Sequence, residues 1–188
     1  MPLWRGLWGS GEGRTDVAIY RDQLAEVARD LERMKERAAH LESQFKVQTA
    51  IIQADLATDN GCAKVEKYLS ENQIEVLINN AGFGINKAFS VSDVDAEQQL
   101  LDVLVRTPMR LMHTVIPQMK QRNSGSIINV SSVAGWIAGG TYSASKSYLT
   151  VLSESLHTEM HGTGVKISAL CPGFTRTEFH ERGRMRMN

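Results

Sequence analysis

The chain has 188 residues, 42% of them hydrophobic, with two cysteines and with 21 basic and 21 acidic side chains, so its net charge is zero. That size supports one domain with a real core and hardly two, and a neutral chain lacks the basic field that grips phosphate backbones, which argues against nucleic-acid binding. Cys62 and Cys171, far apart in sequence, form no CxxC pair or metal-ligand cluster and do not suggest a disulfide scaffold, and no apolar run reaches the roughly 18 residues of a membrane span, so a soluble, cytoplasmic protein is expected.

The chain opens on MPLWRGLWGSGEG, where Arg5 and the early glycines break any signal-peptide core. Residues 1–15 are expected to be an atypical, flexible segment, 16–180 a single domain, and 181–188 a tail. Within the domain, β-branched runs predict strands at Val17–Tyr20, Val47–Ile52, Val76–Ile78, Ser126–Val130 and Val165–Leu170. Helical patterns predict helices at Asp22–Phe45, Gly61–Asn72, Asp93–Arg122 and Ser143–His161. In the first of these, Leu24, Val27, Leu31, Met34, Ala38, Leu41 and Phe45 recur at steps of three and four. That spacing fits a short coiled coil or a helix laid on a sheet, and the flanking strands favour the sheet. Strands alternating with helices predict βαβ units and an α/β fold with a parallel sheet covered on both faces. Right-handed crossovers then bring every strand's carboxyl end to one edge, where ligands bind.

Three strand ends carry small or polar residues at that edge: Asn79-Asn80-Ala81-Gly82, Ser131-Ser132, and Cys171-Pro172-Gly173. Ordinary strand-to-helix turns use the same residue types, but three in register point to a ligand that approaches the backbone closely. Tyr142 and Lys146 follow, four residues apart and so on one helix face. A phenol titrates near 10, and a neighbouring ammonium is expected to lower that value and fit Tyr142 for acid–base work. Ser132 could hydrogen-bond a substrate oxygen whose charge grows during reaction.

On these residues the sequence resembles the short-chain dehydrogenase/reductases, NAD(P)-dependent oxidoreductases of Rossmann-type, doubly wound fold. The resemblance covers about residues 16 to 180 and rests on Asp55-Leu56, Asn79-Asn80-Ala81-Gly82, Ser131-Ser132, Tyr142-x-x-x-Lys146 and Pro172-Gly173 in the family's order. It implies that Tyr142 is the catalytic acid/base. Lys146 would tune it and bind the nicotinamide ribose, and Ser132 would orient the substrate carbonyl, with Ser131 as the fallback. It further implies that Asp55 and Leu56 flank the adenine, that Asn79, Ala81 and Gly82 line the cofactor, and that Pro172, Gly173 and Thr175 surround the nicotinamide. Arg21 sits where a basic residue favours the extra phosphate of NADP, so NADP is slightly favoured over NAD. The implied reaction is hydride transfer between the cofactor and a carbonyl or alcohol substrate, with no metal. The two long helices at 93–122 and 143–161 would pair copies into a homo-oligomer.

The chain departs from the family pattern in four places. Gly9-Ser10-Gly11-Glu12-Gly13 is followed at once by a strand, too soon for the crossover that makes the pyrophosphate-binding turn, so an incomplete sheet and weakened cofactor binding are expected. Leu3–Trp8 is a weak candidate to replace the absent strand. Leu104 stands where the family usually carries an asparagine that holds a relay water, and leucine cannot hydrogen-bond one. The loop from Ser132 to Tyr142 is short, and after Pro172-Gly173 the chain ends at Asn188 behind the basic run Arg182–Arg186. Two rival expectations follow: a non-catalytic, pseudoenzyme-like dimerising protein, or an unstable fragment.

Overall fold

The computed structural model describes residues 27–173, with side chains from 31 onward. Its elements run α1 (Val27–Phe45), α2 (Asp59–Glu71), β1 (Val76–Asn79), α3 (Val94–Leu101), a π-helical segment (Asp102–Arg106), α4 (Thr107–Arg122), β2 (Gly125–Val130), α5 (Gly140–Glu159) and β3 (Val165–Leu170). Thr175, Arg21, the Val17–Tyr20 strand, the Gly9–Gly13 run, Leu3–Trp8 and the 181–188 tail fall outside the described residues.

The three strands form one parallel sheet in the order β1-β2-β3. The register pairs Leu77 with Ile127 and Asn79 with Asn129, and then Ile127 with Ile167 and Val130 with Leu170. Strands of period two turn alternate residues to opposite faces. One face carries Leu77, Ile127 and Ile167, all buried with Val65 and Leu69 of α2, Leu111, Met112, Val115 and Met119 of α4, and Leu149 of α5. Each such side chain contributes roughly 1.5–3 kcal/mol of transfer free energy. On the other face Val76, Ile78 and Leu170 remain 40–54% exposed, so the described helices α2, α4 and α5 cover a single side.

Local chemistry sets the element ends. Thr58 caps α2 by accepting from the Gly61 amide at 3.0 Å, and Asp93 caps α3 by accepting from Asp95 at 2.9 Å. Asn123 closes α4 in the left-handed region, φ 52°, and its Oδ1 accepts the Gly164 amide at 2.7 Å, which fixes the approach to β3. Gly140 enters α5 at φ +70°, a conformation that favours glycine.

Three sequence expectations need correction. Val47–Ile52 forms no strand; it is extended, with a single bridge residue at Gln48, because the described residues offer it no ladder to join. The helix expected over Asp93–Arg122 is broken into α3 and α4 by the π-helical turn centred on Leu104. Such turns insert an extra residue per turn and concentrate at functional sites. Finally, α1 does not bury its stripe as deeply as its spacing suggests: Leu41 and Phe45 are 37% and 60% exposed.

Candidate active site

Because the strands are parallel and in register, their carboxyl ends align. The Ser131 amide donates to Leu170 O at 2.8 Å, and the Val133 amide donates to Pro172 O at 3.0 Å. These bonds tie the end of β2 to the Cys171-Pro172-Gly173 turn. A cleft opens at this edge, lined by Leu56, Asn79, Asn80, Ala81, Leu104 and Lys146 among others. Leu56, Asn79, Ala81 and Lys146 are residues that the sequence nominated for the cofactor.

Lys146 is 5% exposed, and its ammonium donates to Val130 O at 2.7 Å. Burial disfavours the charged form and lowers its pKa from 10.5 to about 8. The amine lies 5.6 Å from the centroid of the Tyr142 ring. Tyr142 packs beside the buried Leu100, Val103 and Leu104. Ser132 faces the phenol, and its hydrogen bond offsets part of the rise that burial imposes on the phenol pKa. The expectation that Lys146 depresses that pKa is therefore corrected. Desolvation dominates and pushes the phenol above 10, and the lysine's proton is turned to a carbonyl on β2.

The two serines differ in surroundings. Ser132 caps the short 3-10 turn Val133–Trp136 by accepting from the Ala134 amide at 3.1 Å, and its side chain also meets the Tyr142 phenol. Ser131 is buried; its Oγ lies 2.7 Å from Lys146 O and 2.7 Å from Thr150 Oγ1. It anchors the α5 backbone, whereas Ser132 is the serine that meets the phenol. Gly135 sits so close to α5 that an added Cβ would meet the Ser147 amide at 3.0 Å, which holds the short turn against the Tyr142–Lys146 helix.

The remaining nominated residues spread along the same edge. Asp55 Oδ1 accepts the Ala57 amide at 3.0 Å and shapes the turn ahead of α2. An added Cβ on Gly61 would fall 1.9 Å from Asp55 O, so the helix runs directly over that turn. Thr107 Oγ1 donates to Leu56 O at 2.7 Å, and Arg106 reaches Ala57 O at 2.8 Å and Asp59 at 2.7 Å. Gly82 is held under Leu104, whose Cδ2 lies 2.9 Å from the position of an added Cβ. Leu104 thus presents only carbon to this edge, as its side chain dictates. Pro172 and Gly173 border the end of β3, and Gly173 faces open space. No group of three His, Cys, Asp or Glu side chains that could hold a metal exists among the described residues.

The cleft offers hydrogen-bonding groups of the kind that a ribose or a carboxamide would take. A buried ammonium, two asparagines and the small residues Ala81 and Gly82 meet at one strand edge. Residues missed by the sequence reading are Asn129, Thr150 and Ser153, which are buried and polar behind this edge. An asparagine inside an otherwise apolar β-branched run was the one available signal.

Parallel strands, helices packed on their face and a cleft at the carboxyl edge define the class as a Rossmann-type α/β fold. A family model described as short chain dehydrogenase matches residues 18–187. An uncharacterised oxidoreductase of Staphylococcus saprophyticus is 30% identical over 175 residues, covering 89% of this chain and 70% of that protein. The very-long-chain 3-oxoacyl-CoA reductase of Rattus norvegicus is 28% identical over 189 residues, covering 92% and 61%. A solved short-chain dehydrogenase from Sphingobium yanoikuyae in complex with NADPH superposes at TM-score 0.84 and 29% identity, over 93% of this chain and 66% of that one. A bulky-bulky ketone specific alcohol dehydrogenase from Comamonas testosteroni gives 0.79 and 33%, over 87% and 64%. The chain belongs to the short-chain dehydrogenase/reductase family. It spans 61% of the rat reductase and about two thirds of each solved chain.

Proposed function

We propose that this chain carries the catalytic half of an NAD(P)-dependent oxidoreductase that interconverts a carbonyl and an alcohol. The approach of Tyr142 to both Ser132 and Lys146, with Lys146 lining the cleft, carries the proposal. A bound NAD(P)H supplies hydride from C4 of its nicotinamide. In the reductive direction, Tyr142 Oη donates its proton to the carbonyl oxygen while the carbon receives the hydride. Ser132 Oγ donates a hydrogen bond to the same oxygen as its negative charge grows. Lys146, still protonated below pH 8, opposes the charge left on the phenolate. A phenol held above its usual pKa stays protonated at neutral pH, the form that donates in reduction.

In this reading Asn79, Asn80, Ala81 and Lys146 hold the nicotinamide-ribose portion, with Pro172 and Gly173 beside it. Arg21 would favour NADP and Thr175 would contact the nicotinamide, as the family resemblance implies; both lie outside the described residues. The NADPH complex of the Sphingobium relative supports that cofactor choice. No helix among the described residues is long and apolar enough to cross a membrane. A second reading, a non-catalytic subunit that pairs through α4 and α5, is favoured by the exposed Met109, Tyr148 and Val151 on those helices. Fluorescence titration with NADPH and NADH separates the two. Saturable NADPH binding that Lys146→Met weakens supports the oxidoreductase, and no binding together with a stable dimer in size exclusion supports the pairing subunit.

A further inference from the structure

At the carboxyl end of the sheet the buried face changes character. Leu77, Ile127 and Ile167 stack as apolar neighbours, but the next pair on the same face is Asn79 beside Asn129. Asn129 is 0% exposed. A buried amide costs free energy unless every polar atom finds a partner, so its presence calls for a reason. Its partners are complete. Asn129 Oδ1 accepts from Asn79 Nδ2 at 2.8 Å, and Asn129 Nδ2 donates to Ser153 Oγ at 2.8 Å with Met112 Sδ at 3.1 Å. Ser153 in turn donates to Leu149 O at 2.6 Å, one turn beyond the Tyr142–Lys146 stretch of α5.

This chain of bonds fixes the orientation of Asn79. With Nδ2 turned inward, its Oδ1 has no hydrogen bond among the described residues, and Asn79 lines the cleft beside Lys146. An apolar residue at 129 would pack the core as well but would release the Asn79 amide to rotate. We propose that Asn129 is a positioning residue: from the core it holds Asn79 so that Oδ1 faces the cleft as an acceptor for a hydroxyl of the dinucleotide. The proposal rests on the oxidoreductase reading above and names how its cofactor site is pre-organised.

The test is a double-mutant cycle on NADPH affinity, read by fluorescence titration, with Asn129→Leu, Asn79→Ala and the pair together. Asn129→Leu keeps the branched four-heavy-atom outline while removing the amide, and Asn79→Ala removes the same contact from the half-buried end should the core variant fold poorly. Each single change is expected to weaken NADPH about 5- to 20-fold, and the pair no more than the worse single, because both remove one acceptor. Asn129→Asp, which still accepts from Asn79, is expected to recover part of the affinity. Additive losses, or an Asn129→Leu protein that is less stable yet binds NADPH as the parent does, would overturn the proposal and leave Asn129 a structural residue. If the parent chain itself binds no NADPH, the oxidoreductase reading fails first and this inference with it.

Discussion

Replacing Lys146 with methionine removes a charge that the fold holds at a cost. The ammonium is 5% exposed, and its pKa falls from 10.5 to about 8 through burial. At about 1.36 kcal/mol per pKa unit, that gap corresponds to about 3 kcal/mol. The sign follows from which state releases the proton first. Below pH 8 the lysine is charged in both states, and the full cost of burying it weighs on the native state. Between pH 8 and 10.5 the native lysine is neutral while the unfolded one still binds its proton, so stability rises with pH. Above 10.5 both are neutral and the cost is gone. Urea unfolding at intervals from pH 7 to 10.5, on parent and Lys146→Met, isolates this one group, because the other ionisable side chains are shared. The parent is expected to gain about 3 kcal/mol relative to the variant across that window. Stability curves that run parallel with pH would refute the assignment of a desolvated, protonated amine at the cleft.

Other perturbations act on separate parts of the site. Tyr142→Phe should lower turnover about a hundred- to ten-thousand-fold while leaving NADPH affinity within a factor of about two, because the proton is lost but the ring stays; steady-state kinetics at saturating cofactor checks it. Ser132→Ala should cost about a hundredfold in kcat with a smaller change in KM, since its bond strengthens as charge develops. Gly61→Ala should destabilise by about 3 kcal/mol, at the upper end of overpacking costs, because the new Cβ meets Asp55 backbone at 1.9 Å; thermal unfolding reads it. Thr107→Val leaves the buried Leu56 carbonyl without its 2.7 Å donor and should cost about 1–3 kcal/mol in the same assay.

Much of this was legible because the signals were local. The β-branched runs at 76–78, 126–130 and 165–170 became strands whose carboxyl ends align as the βαβ rule requires. The four-residue spacing of Tyr142 and Lys146 put both on one face of α5, with the amine 5.6 Å from the ring centroid. What was not legible depends on neighbours distant in sequence. Val47–Ile52 has strand composition but no ladder among the described residues, and a strand exists only with its partner. The break at Leu104 left no mark because Val103, Leu104 and Val105 satisfy a helical pattern whether the turn is α or π. The sign of the Tyr142 shift was misread because a nearby lysine is visible in sequence, whereas the apolar wall of Leu100, Val103 and Leu104 that desolvates the phenol is not. Ser131 and Ser132 are adjacent and chemically identical, and only the packing of α5 tells the anchor from the one that meets the phenol.

The most direct trial of the central claim follows the hydride itself. NADPH carrying deuterium at both C4 positions of the nicotinamide is supplied at saturation with a panel of ketones, and the alcohol product is weighed by mass spectrometry. The account predicts an alcohol with one deuterium from the parent chain and none above background from Tyr142→Phe. An unlabelled product, or equal labelling from both proteins, would contradict it.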